Sequence, residues 1–302
     1  MRAAIKTEAP ASTHSSGIGR LVLNSFRGFM EDQGMRLSAA LAYYAAFSLA
    51  PLLLIVLSMA GSFFDDEAAK GAIFGELRRD LGESGALMIE DMVAHAHRPG
   101  KNVLMSLVGL VVLLFGAAGL FGELKAALNA IWNVRPQGSS GFVAMIKARF
   151  LSFSMVLGTG FLLLVSMIFS AILQFLGDRI GEIADVPAPV WAAVGGVASF
   201  ALIGLLFAAI FKVLPDTSVR WRDVWVGAIF TSGLFVAGKS LLALYLGREA
   251  TESSYGSAGA FIVILLWLYY SSAILLFGAE FTQQHAKALN RGFLPKTEKK
   301  PD

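Results

Sequence analysis

Six long apolar runs, at about residues 37–63, 102–122, 150–176, 189–211, 224–246 and 258–281, leave this chain few ways to fold. Each holds ~20 residues or more, and a helix rising 1.5 Å per residue crosses ~30 Å of hydrocarbon in that length. Lipid offers no hydrogen-bond partners to a backbone, so such runs are expected to be helices. The expected fold is therefore all-α: a polytopic membrane protein with a six-transmembrane-helix bundle. Composition agrees, since 16% of the 302 residues are charged, against about 25% in a typical soluble domain. The absence of cysteine excludes disulfides and thiolate metal sites.

The charges between the runs set an orientation. The N-terminal segment, the second–third and fourth–fifth loops and the tail carry seventeen of the 25 basic residues, and the opposite side carries seven. Thirteen acids lie on that opposite side. The positive-inside rule then places both termini in the cytoplasm, as an even number of spans requires. The net charge of +3 reads as this topology signal, so no nucleic acid is expected as a partner. The expected location is a bacterial inner membrane, multi-pass. The first apolar run starts near Leu37, too late for a cleaved signal peptide, and reads as an uncleaved signal-anchor.

The pattern between the runs suggests three units. Residues 1–17 are polar and small and read as a disordered tail. Residues 18–285 form the membrane domain, and 286–302 a basic tail. Ile18, Leu21, Val22, Phe26 and Phe29 recur at helical spacing. They predict a short amphipathic helix, either lying on the inner leaflet or packed under the bundle. The long first outer loop, 64–101, predicts two amphipathic pieces separated by Gly82, Ser84 and Gly85. They suit a helical cap over the outer mouth, or a docking surface for an envelope protein partner.

Four blocks carry a family resemblance: RLSAALAYYAAFSLAPLLL (36–54), GLFGELKAALNAIWNV (119–134), FKVLPDTSVRWRDVWVGA (211–228) and YGSAGAFIVILLWLYYSSAILLFGAEF (255–281). Together they resemble the YihY/virulence factor BrkB family of bacterial inner-membrane proteins. The resemblance implies a six-span helical protein connected with envelope function, virulence and lipid or lipopolysaccharide export. The family has also carried a ribonuclease label.

The residues give that label little support. A metal-dependent nuclease needs clustered His and Asp ligands. The only histidine pair, His95 and His97, lies on the predicted outer side. With Glu90 or Asp91 it makes at best a weak metal site, and solvated loop histidines are the default. No metal, cofactor or catalytic residue is expected, and no P-loop, dinucleotide fingerprint or nucleophile elbow occurs.

Polar groups inside the runs nominate the functional residues. Lys239 lies ~22 Å along the fifth span, where a lysine must snorkel, pair or face a wet cavity. Pro51 in the first span removes a backbone donor beside Tyr43, Tyr44 and Ser48. Tyr269, Tyr270, Ser271 and Ser272 place hydroxyls deep in the last span. These nine residues form the expected substrate path. Glu280 shares its depth with Arg36, Glu123 and Arg149, which suggests ion pairs at the inner rim, with proton coupling as the alternative. The expected function is translocation of a lipid or other anionic amphiphile, with anionic membrane lipids as partners. A non-transporting envelope scaffold is the competing reading.

Overall fold

The computed structural model describes residues 17–61, 66–96, 119–134, 188–249, 256–289 and 294–295. The helices are α1 (Ile18–Glu31), α2 (Gly34–Gly61), α3 (Asp66–Ala96), a segment over residues 119–131 (α4), α5 (Ala188–Val213), α6 (Trp221–Glu249) and α7 (Gly256–Ala288). One antiparallel pairing of two residues joins β1 (Thr217–Ser218) to β2 (Leu294–Pro295). Among the described residues, three stretches are long and apolar enough to cross a membrane: Ala193–Val213, Trp221–Leu241 and Gly259–Ala288. The first apolar run forms α2, which continues through Pro51 to Gly61. Most of the second run and all of the third lie outside the described residues.

α6 and α7 are locked together by a reciprocal pair of small-residue motifs. Gly227 of α6 faces Thr282 of α7, and Gly278 of α7 faces Thr231 of α6. At either glycine a Cβ would overlap the opposing threonine. Each threonine donates its hydroxyl to the carbonyl of the glycine four residues before it, Thr231 at 2.6 Å and Thr282 at 2.8 Å. The hydroxyls are thus satisfied within their own helices, and the threonine side chains, hydroxyl oxygen foremost, fill the gaps that the glycines leave. Farther along, Gly238 admits the hydroxyl of Tyr270. On the other side of α6, Gly204 of α5 lies against Ser232.

α2 packs on α7 through small residues at four-residue spacing. Ser38, Ala42, Ala46 and Ala50 are all buried. The three alanines share a cluster with Ile264 and Leu268. Small side chains let helix backbones approach closely, which in lipid replaces the hydrophobic effect as the source of association.

α3 is broken at Gly82, whose φ of 74° is open to glycine at no steric cost. In one straight helix residues 78 and 90 would stand ~18 Å apart. Here Arg78 Nε is 3.2 Å from Glu83 Oε1, and Nη2 is 3.5 Å from Glu90 Oε2. The two arms therefore fold back toward each other. Phe74, Leu81, Ala86, Ile89 and Val93 are buried. A Cβ on Gly85 would meet Ile264 at 3.9 Å, about two turns inside α7. α3 thus reaches down the flank of the bundle as well as over its end.

α1 ends in a left-handed turn at Gln33, φ 58°, whose N–H reaches the Met30 carbonyl at 3.2 Å. The turn sets α1 against the last third of α7, with Phe29 edge-on to Phe277 at 5.8 Å. α1 lies at the same end of the bundle at which α5 finishes and α6 begins, the proximal end.

The Gly–Thr lock makes a specific prediction. Gly227→Ala should destabilise the purified protein by ~1–3 kcal/mol through overpacking. Gly227→Ala combined with Thr282→Gly should lose clearly less than the sum of the single changes. A double-mutant cycle on thermal melting in detergent measures the difference, and strict additivity would show that the two residues do not oppose each other.

Candidate functional site

Polar side chains are rare in this bundle, and their burial sorts them into two regions at different depths. The larger is at the proximal end, where five elements meet. Asn129 of α4 is buried and donates Nδ2 to Asp216 Oδ2 at 2.9 Å. Its Oδ1 accepts the Asp216 backbone N–H, also at 2.9 Å. Lys125, one turn back on α4, completes the knot with an ion pair to Asp216 Oδ1 at 2.8 Å. The turn between α5 and α6 is thereby pinned to α4. Lys212 fastens it from the other side by donating to the Val219 carbonyl at 2.5 Å. Its ammonium also lies 5.3 Å from the centre of the Trp221 ring.

α4 reaches α7 as well. Trp132 is buried and donates Nε1 to the Ala279 carbonyl at 3.0 Å. The helix closes at Trp132 in a Schellman motif. Asn133 takes a left-handed φ of 54°, and the Val134 N–H returns to the Asn129 carbonyl at 2.9 Å. Asn133 then meets the end of α1, with its Nδ2 3.5 Å from Asp32 Oδ2. Burial pushes the Asp32 carboxyl above its ordinary range; Lys287 and the Asn133 contact pull it back, and Glu31 adds to the rise. Across α6 and α7, buried Asp223 lies 3.4 Å from His285 Nδ1, which has no hydrogen-bond partner at that geometry.

Glu280 is at the centre of this end, with 0% of its surface exposed. Gln284, one turn on, donates Nε2 to its Oε1 at 2.6 Å. Its Oε2 is buried and has no hydrogen-bond partner. Gly28 of α1 closes over the carboxyl so tightly that a Cβ there would overlap Oε1. The ion pairs expected at the rim set Glu280 and Glu123 against Arg36 and Arg149. Among the described residues no salt bridge joins Glu280 to Arg36, and Arg149 lies outside them. Depth alone suggested that pairing; the helix face carrying Glu280 instead points at α1, away from Arg36, which is exposed.

The second region is in the middle of the α6–α7 seam. Lys239 is half-buried and follows Gly238, where the Tyr270 hydroxyl inserts. Ser271 carries a buried hydroxyl with no partner, unlike Thr231, Ser232 and Thr282, which all bond back to their own helices. Tyr269 points the other way and donates to Met35 Sδ at 3.2 Å. Ser272 is half-buried. The remaining path candidates are dispersed. Ser48 is buried inside α2, but Tyr43 is 60% and Tyr44 42% exposed on its outer surface. Of Pro51 and His95 only the backbone is described, within α2 and α3, and His97 lies outside the described residues. Among the described residues no three His, Cys, Asp or Glu side chains converge as a metal would require.

Residues 25–301 match the sequence profile of the virulence factor BrkB family. The chain belongs to this family. It is 24% identical over 263 residues to the putative ribonuclease-like protein YfkH of Bacillus subtilis, covering 84% of this chain and 91% of that one. It is 28% identical over 264 residues to a UPF0761 membrane protein of Azotobacter vinelandii, covering 84% of this chain and 60% of the relative. A UPF0761 membrane protein of Mannheimia succiniciproducens is 26% identical over 263 residues, covering 84% and 85%. The chain thus spans about three fifths of the Azotobacter relative and most of the other two. No solved structure matches. With relatives of this kind and three helices suited to crossing a bilayer, this BrkB-family chain is a membrane protein.

Two substitutions test the proximal knot. Trp132→Phe leaves the Ala279 carbonyl without its indole donor and should cost about 1 kcal/mol, read as a lower melting temperature. Asp32 behaves oppositely. A carboxyl held above its ordinary range in the fold contributes stability at low pH that is lost as pH rises through its folded value. Asp32→Asn should therefore raise the melting temperature at neutral pH and leave it unchanged in acid. A variant that melts lower than the wild type at neutral pH would contradict this.

Proposed function

We propose that this protein translocates an anionic amphiphile, a lipid or a molecule with a lipid-like anchor, across the bacterial inner membrane. The observation that carries the reading is Lys239. A lysine ~22 Å along an apolar span is costly unless it snorkels, pairs or faces water, and such residues mark substrate pathways by default. Its neighbours suit a headgroup: the Tyr270 hydroxyl at Gly238 and the unpartnered hydroxyl of Ser271. Access from the bilayer is provided by the half-buried setting of Lys239 on α6. α3, broken at Gly82 and seated along α2 and α7, is the natural moving part on the outer half.

In this reading both termini and the proximal end are cytoplasmic, and the bundle contains six spans. The amphiphile's anionic head pairs with Lys239 while its chains stay in lipid, so the protein need not enclose the whole molecule. The nuclease in the name of the Bacillus relative would need clustered metal ligands, and among the described residues no three His, Cys, Asp or Glu side chains converge.

Native mass spectrometry of gently extracted protein tests the proposal. The wild type should retain an anionic lipid, Lys239→Arg should keep most of it, and Lys239→Leu should lose it. In liposomes the Lys239→Leu variant should lose movement of a labelled anionic lipid. Equal lipid retention by wild type and Lys239→Leu would reject the site. Crosslinks from position 87 to a dedicated membrane protein, without lipid adducts at position 239, would favour the scaffold reading.

A further inference from the structure

We infer that Glu280 is a proton-binding site at the proximal end, and that α1 is the lid that closes over its protonated form. The inference does not rest on the substrate proposed above. It starts from an imbalance. A carboxylate removed from water needs donors for both oxygens or a cation beside it. Glu280 is fully buried, and its Oε1 receives one hydrogen bond, from Gln284. Its Oε2 receives none.

The charges around it do not supply what is missing. Those whose fields reach Glu280 are Glu31 at the end of α1, Asp32 just beyond it and Lys287 of α7. Two of the three are acidic, and Lys287 already donates to Gln283 Oε1 at 2.9 Å. Of the other charged groups at this end, Lys125 pairs with Asp216, Lys212 donates to the Val219 carbonyl, His285 faces Asp223, and Arg27, Arg36, Arg220 and Arg222 are exposed. The final turn of α1 adds the negative end of its helix dipole beside the carboxyl. A proton on Oε2 removes the charge without any further partner.

The lid follows from Gly28. A glycine at that position lets α1 lie directly on the carboxyl, and any larger residue would overlap it. Ser25, three residues earlier on the same face of α1, is also fully buried. Loss of the proton places an anion under the negative end of α1 and beside Asp32 and Glu31. Repulsion and the demand for hydration then favour lifting of α1, which admits water to Oε2. Proton occupancy and α1 docking are thus two aspects of one equilibrium.

The chain has no cysteine, so a single Ser25→Cys reports on the lid. In detergent-solubilised full-length protein, its labelling by a polar maleimide is measured against pH and normalised to an exposed reference cysteine at Asn24. The normalised rate should rise several-fold from acid to alkaline pH. Adding Glu280→Gln, which mimics the protonated group, should keep it low throughout. Adding Gly28→Ala should make it high throughout. Two further variants carry opposite signs. Asp32→Asn removes a charge that favours the proton and should move the transition to lower pH. Lys287→Gln removes one that opposes the proton and should move it to higher pH. A pH transition that survives Glu280→Gln overturns the inference, as do a flat wild-type profile and shifts of the same sign in the two charge variants.

Discussion

Apolar helices in lipid gain nothing from burying one another's side chains, because the lipid is as apolar as they are. The fit between Gly227–Thr231 and Gly278–Thr282 therefore governs the rest of the bundle. It brings α6 and α7 close enough for dense van der Waals contact and sets their register. A slip of one residue would take each threonine off its glycine. With that register set, Asp223 comes opposite His285 at the proximal end and Gly238 comes opposite Tyr270 in the middle. The two polar regions are consequences of one packing contact.

The proximal knot solves a different problem. Helix termini expose backbone groups that cannot stay unpaired away from water. Here the ends of α1, α4, α5 and α7 and the start of α6 gather, and side chains serve one another's backbone. Asn129 holds the Asp216 N–H, Lys212 the Val219 carbonyl and Trp132 the Ala279 carbonyl. The β1–β2 pairing brings residues 294–295 of the C-terminal segment to the same turn. Such mutual service makes the end rigid. α1 packs on a floor that other elements build, with Phe29 edge-on to Phe277 and Gly28 over Glu280.

The sequence displayed its apolar runs openly, since composition over twenty residues is a strong signal. It also displayed the four blocks that carry the family resemblance. It did not display that the second, third and fourth blocks meet. Asn129 and Asp216, 87 positions apart, look like ordinary polar residues at helix ends until the fold makes them partners. The surroundings of Glu280 were hidden for a related reason. Depth along a span can be counted, but the face on which a residue points depends on its neighbours, and Gly28 gives no hint that α1 lies there. Gly82 is the opposite case. A glycine between two amphipathic stretches is legible as a break, and its positive φ carries it out. Lys239 was legible as an anomaly, whereas the Tyr270 hydroxyl beside it needed the interhelical register.

Lys239 and Glu280 are separated along the helix pair. Tyr270, beside Gly238, precedes Glu280 by ten residues, or ~15 Å of helix. Between them Thr231, Ser232 and Thr282 spend their hydroxyls on carbonyls of their own helices, and the rest of the contact is threonine against glycine. Hydroxyls engaged in this way offer no relay between the two regions along the described seam, so an influence of Glu280 on Lys239 is best carried mechanically. The tight Gly–Thr contact suits that role, since it ties α6 and α7 into a unit that moves as one when α1 lifts from its proximal end. A loosely packed pair would absorb the same displacement within its first turn. The contact that builds the bundle is thus also the one through which its two polar regions can act on each other.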